Sequence, residues 1–139
     1  MILGIDTARG WAIGEPGGRI EAAGTVKGVP EMIIKITELS EQYDIEQVRI
    51  ERPGNRHVYQ RPGVSEPAMK KIAVNVGENR EKASALYYYC KGLGLNPVFV
   101  NPIRGGTKMN ARQIEMLTGW KEATSEHSRD AIVICWIKS

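Results

Sequence analysis

The chain has 139 residues, of which 42% are hydrophobic and 25% charged, and its formal net charge is +3. This length allows one buried core and is too short for two ordinary domains, so we expect a single domain over residues 1–139. The composition excludes a chain that is disordered or strongly basic throughout, and a surface for a polyanion would need local clustering of positive charge.

Neither a membrane span nor a secretory signal is expected from the sequence. No apolar run approaches the roughly 20 residues that a membrane helix needs, and the first residues are typical of a strand, with no basic segment followed by an apolar stretch. Cys90 and Cys135 lie in apolar helical patterns without partners at metal-ligand spacing, as reduced core thiols do. We therefore expect a cytoplasmic protein with no membrane partner.

The first strand, residues 1–6, is apolar and ends in the carboxylate of Asp6. A short turn follows, and residues 11–15 can return as a second strand. After a turn at Gly17 and Gly18, the alternation over 19–26 predicts a third strand. These three strands should form an antiparallel meander.

A helix and a fourth strand come next. Apolar residues at helical spacing predict a helix over 31–43, and residues 45–52 form a strand that runs out at Glu51. A strand, a crossover helix and a further strand are most easily joined as a parallel pair, which places the fourth strand beside the first. Asp6 and Glu51 should then emerge at the same edge of the sheet.

The rest of the chain alternates loops, helices and one strand. Residues 53–67 are rich in Pro, Gly, Arg and Asn, and this loop is too long for a simple connector. The patterns that follow predict helices over 68–93, 110–117 and 125–137 and a buried strand over 97–100. The fold class is thus α/β, with a mixed five-stranded sheet made of a three-stranded antiparallel meander and two parallel strands, flanked by helices.

Four candidate metal ligands lie where apolar segments become polar. Asp6 and Glu51 end strands, and His127 and Asp130 are three residues apart on one face of the last helix. Acidic residues that converge on hard cations at the end of a sheet show this pattern.

Each candidate also has an ordinary structural explanation. Asp6 is suited to starting a turn, and Glu51 could pair with Arg49 or Arg52 at the surface. His127 and Asp130 could simply be residues of the first turn of a helix, where the helix dipole favours an acidic side chain. The functional interpretation depends on the ordered set of four rather than on any one of them.

Three motifs resemble one known family. The run Gly4-Ile5-Asp6, Glu51 after the fourth strand, and the stretch 126–131 (EHSRDA) are similar to the RuvC-like Holliday-junction resolvases of the ribonuclease H-like superfamily, over nearly the whole chain. Residues 77–80 resemble the family's helix segment near its Gly, and residues 105–113 its basic loop before a short helix.

The resemblance implies a ribonuclease H-like fold and a divalent-metal-dependent endonuclease. Asp6, Glu51 and Asp130 would be the metal-binding carboxylates, with His127 either completing the shells or orienting the attacking water. The expected cofactor is a pair of Mg²⁺ ions in each active site, with Mn²⁺ as a substitute and no small-molecule cofactor. The reaction would be the resolution of four-way (Holliday) DNA junctions by paired symmetric nicks, and a branched substrate with two-fold symmetry implies a homodimer.

Basic side chains on segments near the acids are candidate contacts to DNA. Individually such residues usually only solvate a surface, but as groups they could bind phosphates. The candidates are Arg52, Arg56, Arg61, Lys70, Arg104, Lys108 and Arg112, with Arg49 and Lys71 in the same stretches. Tyr59 and His57 could stack on unpaired bases at a branch point, and Tyr87 to Tyr89 of the long helix either form the dimer interface or pack on the sheet.

Three alternatives remain open at this point. A ribonuclease H-like nuclease acting on another branched DNA or on RNA would share every catalytic residue. A non-catalytic nucleic-acid-binding or protein-binding module on the same fold would lose nothing when Asp6 is changed to Asn. An actin-like ATPase also opens with a Gly-Ile-Asp strand but needs two such domains, for which this chain has no room.

Overall fold

The computed structural model describes residues 1–6, 9–52, 66–101, 109–122 and 124–137, and the side chains of residues 66, 68–77 and 79 are not described. The described residues form five strands and four helices. Among them, no helix combines the length and the apolar character needed to cross a lipid bilayer.

The five strands form one mixed sheet. They are β1 (Ile2–Asp6), β2 (Gly10–Gly14), β3 (Ile20–Thr25), β4 (Gln47–Glu51) and β5 (Pro97–Val100), in the order β3-β2-β1-β4-β5. Strands β1, β2 and β3 pair in antiparallel fashion, whereas β4 is parallel to both β1 and β5. The predicted meander and the predicted parallel pair of β1 and β4 are both confirmed.

The helices are α1 (Val29–Gln42), α2 (Glu66–Gly92), α3 (Ala111–Thr118) and α4 (Glu126–Trp136). Their bounds lie within about two residues of those predicted from periodicity, which is the usual uncertainty of a helix end. The start of α2 lies two residues earlier than predicted, because the sequence pattern placed Pro67 in the preceding loop. Proline is tolerated in the first turn of a helix, where its missing N–H would have no partner inside the helix, so α2 begins before it.

Each face of the sheet is covered by a different pair of helices. In β1, Leu3 and Ile5 belong to a core shared with α1 and α2, in which Met32 is fully buried. Ile2 points to the opposite face and belongs to a second core with Ile114 of α3 and several residues of α4. Because strand side chains alternate between faces, Gly4 and Asp6 lie on the α4 face together with Ile2.

Two of the three consecutive tyrosines of α2 pack within the chain. Tyr87 stacks on Phe99 with 4.8 Å between the ring centroids, and the Tyr89 hydroxyl lies 2.6 Å from the hydroxyl of Thr37 on α1. Tyr88 is 70% exposed. Tyr87 therefore packs on the sheet, as one of the two alternatives predicted, and Tyr89 contacts helix α1. The ring of Tyr88 meets that of Tyr87 edge-on, with 5.4 Å between the centroids, and is otherwise largely exposed.

Both cysteines are free and buried, as the sequence predicted. Burial raises the pKa of the Cys90 thiol to about 11. It raises the pKa of Cys135 to about 12, and the Cys135 thiol donates to the carbonyl of Ile2 at 3.1 Å. Both groups are therefore neutral thiols at physiological pH.

Candidate active site at the end of strand β1

Asp6 ends β1 on the face of the sheet that α4 covers. Its side chain is only 4% exposed, and its backbone carbonyl accepts a hydrogen bond from the backbone N–H of Arg9 at 2.9 Å. A buried carboxylate is costly unless a cation or hydrogen-bond donors compensate it. The burial of Asp6 therefore calls for a partner.

That partner is His127 in the first turn of α4. Its Nδ1 lies 3.1 Å from Oδ2 of Asp6, and its side chain is 38% exposed. The contact joins residues 121 positions apart in the chain. The imidazole is thus anchored to the carboxylate on one side and open to solvent on another.

Local sequence fixes where His127 lies on its helix. Ser125 caps α4: its hydroxyl accepts from the backbone N–H of Ser128 at 3.2 Å, and the Ser128 hydroxyl accepts from the backbone N–H of Ser125 at 2.8 Å. This reciprocal capping satisfies two backbone donors and sets the first helical residue at Glu126. The N-terminal end of a helix also carries a partial positive charge, which favours a carboxylate such as Asp6 nearby.

The strand register brings Glu51 to the same edge as Asp6. Ile5 of β1 is paired with Ile50 of β4 in a parallel register, so the following residue of each strand lies at the same edge, on strands about 4.8 Å apart. Gly4 is paired with Arg49, and the Arg49 side chain binds the backbone of α4. Because side chains alternate between the two faces of a strand, Glu51, two residues after Arg49, also faces α4. Glu51 is partly buried.

Asp130 lies one turn beyond His127 on α4 and is also partly buried. Within the described parts of the chain, however, no group of three or more His, Cys, Asp or Glu side chains is close enough together to hold a metal ion. The structure therefore joins Asp6 to His127 directly. The assignment of all four residues as metal ligands stays a prediction.

The chemistry of these donors suits a divalent cation. Carboxylate oxygens are the preferred ligands of Mg²⁺, and one imidazole among them is compatible with Mn²⁺. The four candidates lie on three elements that adjoin one another, β1, β4 and α4. The donor set thus fits the expected ions in kind.

Arg49 has a different role from the one its sequence position suggested. The sequence groups it with possible phosphate contacts, but it is only 5% exposed and its guanidinium donates to the carbonyls of Ile134, Cys135 and Ile137 at the C-terminal end of α4. That interaction places a cation where the helix dipole is negative. No local sequence pattern predicted this role, because the backbone groups that bind Arg49 lie about 85 residues away in the chain.

Apart from Arg49, two of the predicted DNA contacts have described side chains. Arg52 is exposed, with its guanidinium 5.5 Å from the centre of the Phe99 ring, and Arg112 is exposed on α3. Lys70 and Lys71 lie on α2, but their side chains are not described. The remaining candidates lie outside the described residues: Arg56, His57, Tyr59, Arg61, Arg104 and Lys108.

No protein-family model matches the sequence, and no curated protein matches it. Among solved structures, RuvC from Thermus thermophilus in complex with a Holliday junction substrate matches with a TM-score of 0.65 and 19% sequence identity, over 96% of this chain and 89% of that chain. A second structure of Thermus thermophilus RuvC matches with a TM-score of 0.56 and 17% identity, over 96% of this chain and 90% of that chain.

The likeness establishes the fold. The mixed five-stranded sheet and its flanking helices match the ribonuclease H-like fold of RuvC, with a TM-score of 0.65 over 96% of the chain. The fold that the three short motifs implied is therefore confirmed.

Proposed function

We propose that the chain is a structure-selective endonuclease that resolves four-way DNA junctions by metal-dependent phosphodiester hydrolysis with paired symmetric nicks. The observation that supports this most directly is the buried Asp6 carboxylate in contact with His127 at the end of β1. It occurs in a chain with the fold of RuvC, and one of the RuvC structures contains a Holliday junction substrate. A fold alone does not imply a reaction, so the proposal depends on this site.

The three carboxylates and the histidine have different roles in this proposal. Asp6, Glu51 and Asp130 would hold the divalent ions, which supply charge stabilisation at the phosphate and a more acidic water. His127 would orient the attacking water or take its proton. If Nδ1 donates its hydrogen to Asp6, the other ring nitrogen is left as an acceptor, which is the tautomer a base requires.

Positive charge on neighbouring segments would bind the DNA backbone. Arg52 directly follows Glu51 and is exposed, and Arg112 is exposed on α3. We include Lys70 and the candidates at 53–65 and 102–108 in the same surface. Removing one side chain that binds a phosphate should reduce the slope of log K against log salt by about 0.9 for duplex DNA.

A homodimer follows from the geometry of the substrate. Two nicks related by two-fold symmetry need two active sites in a fixed relation, which a symmetric dimer provides. The exposed ring of Tyr88 on α2 is a candidate contact. Sedimentation of the chain with and without junction DNA tests this part of the proposal separately.

The central experiment compares a synthetic four-way junction with a linear duplex of the same sequence. Each is incubated with Mg²⁺, Mn²⁺ or a chelator, using the wild-type chain, Asp6→Asn and the matched control Asp44→Asn. Asp44 is exposed and precedes β4, at the opposite end of the sheet from Asp6. We expect paired nicks in the junction alone, lost with chelator or with Asp6→Asn and retained with Asp44→Asn.

Other outcomes point to the alternatives. Equal cutting of the duplex indicates a general nuclease, and cutting of RNA in place of DNA indicates a different substrate class. Junction binding that Asp6→Asn leaves unchanged, without cleavage under any condition, indicates a non-catalytic binding module.

A further inference from the structure

Gly10 lies directly beneath the catalytic end of α4. The antiparallel register of β1 and β2 pairs Gly10 with Asp6, so the two residues are neighbours across the sheet. A Cβ atom at Gly10 would lie 2.0 Å from the carbonyl oxygen of His127 and 2.4 Å from its carbonyl carbon. The backbone of the first turn of α4 therefore occupies the space that a side chain at Gly10 would need.

Gly4 makes the same kind of approach further along the helix. A Cβ atom there would lie 2.6 Å from the carbonyl oxygen of Ala131 and 2.7 Å from the backbone nitrogen of Cys135. Since the obstructing atoms belong to the backbone, no change of rotamer could relieve the contact. In contrast, Ala12 on the same face of β2 is fully buried and keeps its methyl group.

These distances determine how far α4 would have to move. A Cβ placed 2.0 Å from an oxygen must retreat by at least 1.0 Å to reach the 3.0 Å below which such contacts essentially never occur. If the first turn of α4 moved away from the sheet by this amount, the distance between His127 Nδ1 and Asp6 Oδ2 would increase from 3.1 Å to about 4 Å. That distance is beyond hydrogen bonding.

We propose that Gly4 and Gly10 are positioning residues, whose missing side chains let α4 rest on the strands and so hold His127 against Asp6. The catalytic consequence rests on the function proposed above, whereas the geometric one does not. A displacement of about 1 Å at a reacting group can cost about 10²-fold in rate. A glycine needed only for stability would lower the melting temperature without this specific effect.

The test uses Gly10→Ala and Gly4→Ala, with Gly92→Ala as the matched control. Gly92 ends α2, and a Cβ there meets no atom within 4 Å. Folding is checked by circular dichroism. The chain has two histidines, so ¹⁵N spectra of the imidazoles identify His127 by comparison with His57→Gln, and Asp6→Asn shows the spectrum without the contact.

We expect the His127 signals in both glycine variants to move towards those of Asp6→Asn, and Gly92→Ala to match the wild type. Junction turnover should fall about 10²-fold in Gly10→Ala, while junction affinity changes less than about threefold. In a His127→Ala background the same glycine substitution should add little, because both changes remove one interaction.

Unchanged His127 signals in a folded glycine variant would overturn the proposal, as would a turnover loss that persists in full when His127 is already absent. Loss of folding in both variants would also overturn it, because the glycines would then be required for the fold itself. If the signals move as expected and no protein cuts any substrate, the positioning role stands and the proposed nuclease function fails.

Discussion

Replacing Arg49 with Met should destabilise the chain strongly, although Arg49 is one basic residue among many. Its Nη1 donates to the carbonyl of Ile134 at 3.2 Å and of Cys135 at 3.4 Å, and also to that of Ile137. Its Nε donates to the side chain of Gln47 at 2.9 Å. Methionine retains an apolar stem and removes every one of these donors.

The magnitude follows from the burial of the group. Hydrogen bonds to charged groups contribute about 1.5–3 kcal/mol, and a buried acceptor left without a partner costs about 1–3 kcal/mol. The favourable interaction with the α4 dipole is lost as well. Because the three carbonyls share one nitrogen, the contributions do not add in full, and we expect a loss of about 3 kcal/mol in the free energy of unfolding.

Urea denaturation followed by circular dichroism measures this loss. The control is Arg19→Met, since the Arg19 side chain is 84% exposed and its Nε lies 3.9 Å from Oε1 of Glu21. An exposed pair of this kind should change the free energy by less than about 0.5 kcal/mol. If Arg49→Met costs less than about 1 kcal/mol, the guanidinium does not anchor α4 to β4.

Further outcomes are expected at three residues: Ser125, Cys135 and Arg52. Ser125→Ala should lower the free energy of unfolding by about 1 kcal/mol and Ser125→Gly by only a few tenths, measured in urea, because glycine is the better substitute at a helix N-cap; equal losses would contradict the capping role. Cys135 should resist a thiol reagent in the native chain and react after unfolding. Burial raises the pKa of the Cys135 thiol to about 12 in the folded chain. The protonated thiol therefore stabilises the fold below about pH 9, and this contribution is lost as pH rises from about 9 to 12. The difference in the free energy of unfolding between wild type and Cys135→Ala should accordingly shrink between pH 8 and 10. If the proposed DNA surface includes Arg52, Arg52→Met should reduce the salt slope of junction binding by about 0.9, whereas Arg19→Met, tested in parallel, should leave the slope unchanged. Equal slopes for both variants would remove Arg52 from the proposed surface.

The sequence by itself determined the order and type of the elements. Hydrophobic periodicity is a local property, so alternation predicted the strands and helical spacing predicted α1 with Met32 and Ile36 inside. The crossover through α1 made a parallel pair of β1 and β4 the natural connection. From these two facts alone, Asp6 and Glu51 were expected at one edge.

Only the tertiary structure decided which side chains meet across that framework. Arg49 looked like a surface cation until the packing of α4 placed helix carbonyls over it, and the contact between Asp6 and His127 joins segments 121 residues apart. Such contacts depend on the distance between a helix and a sheet, which neither periodicity nor composition specifies. That distance is set where backbones approach most closely, as at Gly10 beneath the first turn of α4.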